Sequence, residues 1–128
     1  MVTRILRLVG VYDADGTVLG ELSYVVRHAV GRAHCELCDI THGRLRERAD
    51  WRAARTRLPA PIEVFHRDDQ PDAVRAALGG AAPAVVAELD DGTVVPLLGR
   101  DELAACAGSP ERLVDAVDAA AARRELAW

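Results

Sequence analysis

Apolar positions along the chain fall into blocks whose spacing predicts their structure. Arg4 to Tyr12 (RILRLVGVY) is apolar and rich in strand formers, and it ends at Asp13-Ala14-Asp15-Gly16, a turn signal. It predicts a central strand. Gly20 to Val30 carries Leu22, Val25, Val26 and Ala29 at helical spacing, with Gly31 suited to a C-cap. A hairpin through Asp15-Gly16 is the alternative there. Glu47 to Leu58 reads as a charged amphipathic helix whose apolar stripe is Trp51, Ala54 and Leu58, stopped by Pro59 and Pro61. Ile62 to His66 alternates and predicts a second strand. Asp72 to Leu78 predicts a helix closed by Gly79-Gly80. Ala84 to Leu89 and Val94 to Leu98 predict two strands joined by a hairpin at Asp90-Asp91-Gly92-Thr93. Arg100 to Ala107 predicts a short helix. Ser109-Pro110-Glu111 has the N-cap, N1 proline and early acid of a final helix running to about Arg124. The order β-α-(α)-β-α-β-β-α describes a single α/β domain, residues 1–128, around a central mixed sheet.

Composition narrows the chemistry. The chain has 128 residues, half of them hydrophobic, enough for one real core. Its net charge of −4 argues against a general nucleic-acid binder. All 16 basic residues are arginine; lysine and asparagine are absent, a pattern of GC-rich coding such as that of actinobacteria. Without lysine there is no Schiff-base residue and no GxxxxGK phosphate loop, so no nucleotide cofactor is expected. The chain does not open on a signal peptide, and no stretch reaches the roughly 18 apolar residues of a membrane helix. A soluble cytoplasmic protein is expected. In that reducing compartment a CxxC points to metal binding or redox chemistry rather than to a structural disulfide.

The run His34-Cys35-Glu36-Leu37-Cys38-Asp39-Ile40-Thr41-His42 concentrates that chemistry, with His28 just upstream. If helical, Cys35, Cys38 and His42 fall at i, i+3 and i+7 on one face. These three ligands suit zinc first, copper or iron second, with His34 or His28 as a fourth. Asp39 would orient a histidine from outside the ligand set. The same thiols read as a redox pair make Cys35 the nucleophile and Cys38 the resolving thiol. The residue after Cys38 is Asp39, so the haem motif CxxCH is absent. Metal binding ranks ahead of redox here, because redox leaves the clustered histidines unused. Two buried, inert cysteines are the bland alternative. Cys106, in an Ala-rich helix, reads as core, and His66 as a solvated strand end. Asp13, Asp15, Asp68 and Asp69 are expected near strand ends, where they could hold a hard cation such as Mg²⁺, but turn and N-cap roles explain them more cheaply. Arg44, Arg46, Arg48, Arg52 and Arg55 read as a solvated helix face.

The element order resembles the thioredoxin-like superfamily. The match is closest where Ala82-Pro83-Ala84-Val85-Val86 precedes the hairpin and the C-terminal helix. The resemblance implies a cis proline at Pro83. The expected partner is an unknown small molecule or a protein thiol. A third possibility is an interaction domain that keeps only the fold. The HCELCDITHG run is similar to that of a group of uncharacterised actinobacterial proteins, some labelled GTPases; the missing phosphate-loop lysine gives that label no support. One departure stands out. Thioredoxins carry CxxC directly after the first strand, where this chain has Asp13-Ala14-Asp15-Gly16-Thr17. An intervening helix spanning about 16 Å leads to the expectation that CxxC lies at the opposite end of the sheet from Pro83.

Overall fold

The structure, a computed structural model, describes residues 3–13, 35–41 and 48–128, the side chain of Asp39 excepted. In chain order its elements are β1 (Ile5–Val11), α1 (Glu36–Thr41), α2 (Ala49–Arg55), β2 (Ile62–Phe65), α3 (Asp72–Leu78), β3 (Ala84–Leu89), β4 (Val94–Leu98), α4 (Arg100–Ala105) and α5 (Pro110–Arg123). The four strands form one mixed sheet in the order β2-β1-β3-β4. β1 runs parallel to β2 and antiparallel to β3, and β3 and β4 form the antiparallel hairpin. This is the α/β domain with a central mixed sheet that the hydrophobic pattern predicts. The helix expected over Gly20–Val30 lies outside the described residues.

Local chemistry explains where the elements begin and end. At the β3–β4 turn Gly92 takes φ 88°, which glycine adopts without a Cβ clash. Asp91 Oδ1 accepts from the backbone N–H of Thr93 at 2.9 Å and from its hydroxyl at 2.6 Å. Those bonds hold the Asp91 carboxyl below the usual range, the Thr93 hydroxyl contributing most. α3 closes at Gly79, a left-handed C-cap with φ 59°. α5 opens at Ser109, whose Oγ accepts from Arg112 N at 3.3 Å, with Pro110 behind it. α2 is shorter than its apolar stripe suggests. Beyond Arg55 the chain tightens into i→i−3 bonds, Arg57 N to Ala54 O and Leu58 N to Arg55 O. Pro59 disfavours helical geometry at the residue before it, which sets that limit. Trp51, Ala54 and Leu58 are nonetheless all buried, as the stripe requires.

Among the described residues the two faces of the sheet carry clusters of unequal size. Ile5, Leu8, Tyr12, Val85, Ala87 and Leu98 join the larger core, with Leu37 and Ile40 of α1, Trp51 of α2, Leu103 of α4 and Leu113 and Val117 of α5. The opposite face holds a smaller cluster of Val9, Val11 and Val86 against Val74 of α3. A register shift between Ile5 and Arg7 leaves Leu6 as the extra residue of a bulge, and Leu6 is 56% exposed. Arg7, next to the bulge, pairs with Glu88 at 2.6 Å and Glu63 at 3.0 Å. Its guanidinium pKa is raised, chiefly by the hydrogen bond to Glu88.

Candidate functional site

The carboxyl end of β1 is where the chemistry-bearing side chains meet. Cys35 immediately precedes α1 and is joined to Cys38 as a disulfide, with the two Cα atoms 5.2 Å apart. Cys35 Sγ accepts from the backbone N–H of Asp13 at 3.4 Å and from that of Cys38 at 3.3 Å. Cys35 is fully buried and Cys38 is half-buried.

The expected separation of the cysteines from Pro83 is therefore overturned. The Asp13 contact puts Cys35 at the end of β1 that faces the start of β3, since Val11 pairs with Ala84. The Ala82–Pro83 bond that leads into β3 is cis, as the resemblance implied. The 16 Å displacement assumed that the chain travels one way along the sheet. Asp13 and Cys35 meet at this end although they are 22 positions apart, and spacing along the sequence does not reveal such a meeting.

Two features seat α1. Gly10 sits in the central strand directly beneath Leu37, one of the two residues between the cysteines. A Cβ added at Gly10 would stand 3.1 Å from Leu37 Cδ2. At the other end of α1 the hydroxyls of Tyr12 and Thr41 hydrogen-bond at 2.8 Å, both residues buried. Leu37, Ile40 and Thr41 are each 0% exposed, so α1 is fixed to the sheet along its length.

Arg100, the first residue of α4, ties the site together. Nη1 donates to the Glu36 carboxylate at 2.8 and 3.1 Å. Nη2 donates to Asp13 Oδ2 and, at 2.9 Å, to the carbonyl of Ala82. One guanidinium thus joins the end of β1, the residue after Cys35 and the residue before Pro83. Its pKa is raised above the usual arginine value, with the Asp13 hydrogen bond the largest cause. Arg67 reaches Asp13 from the loop after β2 at 3.2 Å. His66 packs edge-on to Tyr12 at 5.4 Å and stands 3.7 Å from Asp69. It is a partly buried neighbour of the site rather than a solvated strand end.

Of the expected metal ligands, Cys35 and Cys38 come together, while His28, His34 and His42 lie outside the described residues, as does the Asp39 side chain. Among the described residues no group of three or more His, Cys, Asp or Glu could hold one metal ion. Asp13 faces two arginines, and Asp69 Oδ1 accepts from the His66 backbone N–H at 2.6 Å. Asp15 lies outside the described residues. Of the expected arginine face, Arg44 and Arg46 lie outside the described residues, Arg48 pairs with Asp50 at 2.6 Å, and Arg52 is exposed. Cys106 is core as expected, 3% exposed, and burial pushes its thiol pKa up against a weaker pull from Arg112. Arg100 and Glu36 are the site residues that pattern reading missed. A cation at the first position of a helix opposes the helix dipole and was the available signal.

No helix among the described residues is long and apolar enough to cross a membrane. Comparison of the chain with protein-family models, curated proteins and solved structures gives no significant match.

Proposed function

We propose that this chain is a thiol–disulfide oxidoreductase with a thioredoxin-like fold, using Cys35 and Cys38. The observation that carries the reading is the Cys35–Cys38 pair, closed as a disulfide at the end of β1 that faces the cis Pro83 segment. The strand order β2-β1-β3-β4, with β3 alone running opposite to the other three strands, supports the fold part of the reading.

In this reading the two sulfurs take roles opposite to those expected from their order along the chain. Cys38 is the sulfur open to attack, and Cys35 is the leaving group, because two backbone N–H groups already point at its Sγ. A thiolate of a dithiol substrate attacks Cys38 Sγ. The Cys35–Cys38 bond breaks and its electron pair leaves on Cys35. The second substrate thiolate then attacks the substrate sulfur of the mixed disulfide and releases Cys38. The substrate loses two electrons and two protons, and the two cysteines gain them. In reverse the reduced pair is the electron donor: the Cys38 thiolate attacks a substrate disulfide and displaces one substrate sulfur, and Cys35 then attacks Cys38 Sγ, which re-forms the Cys35–Cys38 bond and releases the second substrate thiolate.

Equilibration against glutathione or dithiothreitol buffers, read by thiol alkylation and mass, tests the proposal. A reversible two-electron couple between about −120 and −300 mV is expected. Its absence, or peptide-disulfide reduction unchanged in Cys35→Ser and Cys38→Ser, refutes it. Cys35→Ser should trap a mixed disulfide on Cys38, whereas Cys38→Ser should trap little.

Zinc binding by the reduced pair is the second reading, favoured by two sulfurs that converge within reach of one ion. It draws on His42, His34 or His28, and it predicts near-stoichiometric zinc on reduced, untagged protein. Less than about 0.1 equivalent after reconstitution rejects it.

A further inference from the structure

We infer that Arg100 is a positioning residue that sets how readily Cys35 leaves as a thiolate, through its grip on Glu36 and Asp13. The inference rests on the oxidoreductase reading above and deepens it. Two carboxylate-bearing residues adjoin Cys35. Glu36 follows it in sequence, and Asp13 supplies one of its N–H donors. Arg100 binds both carboxylates and also the carbonyl of Ala82, the residue before Pro83. The Glu36 side chain is only 9% exposed, so water screens its charge weakly and a nearby thiolate feels it. Arg67 adds a second cation on Asp13, and His66 packs edge-on against Tyr12.

The guanidinium does two things at once. Its charge offsets carboxylates that would otherwise oppose a growing negative charge on Cys35. Its fork, with one arm on Glu36 and the other on Asp13 and Ala82, holds the Asp13 backbone where its N–H meets the sulfur. Withdrawing the charge disfavours the thiolate and shifts the equilibrium toward the disulfide.

The experiment is a redox titration of the full chain against glutathione, with thermal unfolding measured in parallel. Arg100→Met should shift the dithiol–disulfide equilibrium about tenfold toward the disulfide, a potential about 30 mV more negative. Arg100→Lys keeps the charge and should restore most of the shift. Glu36→Gln alone should shift the equilibrium the other way, and it reads the same field if Arg100→Met folds poorly. Adding Glu36→Gln to Arg100→Met should return the potential toward that of the wild type, a rescue that a purely structural arginine does not predict. A wild-type couple that Arg100→Met and Glu36→Gln each leave within about twofold overturns the inference alone. A wild-type chain without a reversible couple removes the oxidoreductase reading and this inference with it.

Discussion

Replacing Gly10 with valine should loosen the cysteine helix from the sheet. The central strand has no side chain at this point, and Leu37 fills the space. A single added Cβ would meet Leu37 Cδ2 at 3.1 Å and Val64 at 3.6 Å, so alanine needs a shift of only a few tenths of an ångström. The two further methyl groups of valine must share that space with Leu37, which is 0% exposed and has nowhere to retreat. Overpacking of this kind costs about 1–3 kcal/mol. A chain of 128 residues unfolds with an entropy of roughly 270 cal/mol/K, so each kcal/mol lowers Tm by about 4 °C. A fall of about 4–11 °C is expected by calorimetry for Gly10→Val, with Gly10→Ala close to neutral. The decisive measurement is the double variant. Leu37→Ala alone should cost about 2–5 kcal/mol by opening a cavity. Combined with Gly10→Val it should cost less than the two together, because the valine enters that cavity. Strict additivity would refute the claim that these two residues share one space.

Trp51→Ala should lower stability in urea by about 3–5 kcal/mol, since Trp51 is 1% exposed in the larger core; a loss under about 1 kcal/mol would mean that α2 does not seal that core. Reducing the Cys35–Cys38 bond opens a loop of only four residues, so chain entropy predicts a loss of about 2 kcal/mol at most; a larger drop in the urea midpoint with reductant would mean that the packing of α1 on the sheet loosens too. Cys106 gives a pH test: burial raises its folded thiol pKa, so the unfolded thiol ionises first. Its contribution is complete below about pH 8.5 and is lost as pH rises through the folded value. Stability should therefore fall less between neutral and alkaline pH in Cys106→Ala than in the wild type, and parallel curves would contradict this.

The elements most legible in the sequence are those with local punctuation. α3, β3 and β4 take the predicted bounds because Gly79 and Asp91-Gly92 are stops that act within a few residues. The helix Glu36–Thr41 could be entertained from the spacing of its cysteines and His42, but its place could not be read. That place rests on contacts such as Asp13 with Cys35, 22 positions apart, and no local pattern encodes them. Arg100 escaped for the same reason, since its partner Glu36 is 64 positions away. The histidines that ranked a metal first lie outside the described residues, whereas the sulfurs, the cis peptide bond and the strand order bear on the redox reading.

Among the described residues the two faces of the sheet are packed unequally: the larger core draws on four helices, whereas the opposite face meets α3, whose fully buried anchor is Val74. Amide hydrogens in α3 should therefore exchange through partial opening, at lower free energy than those of β1 and β3. Residues 66–71 link β2 to α3 and carry Arg67, a partner of Asp13. Each time α3 detaches, Asp13 stands to lose that cation while Arg100, anchored on α4, stays in place. The charge around the Cys35 sulfur then fluctuates in step with a local unfolding event on the far side of the sheet.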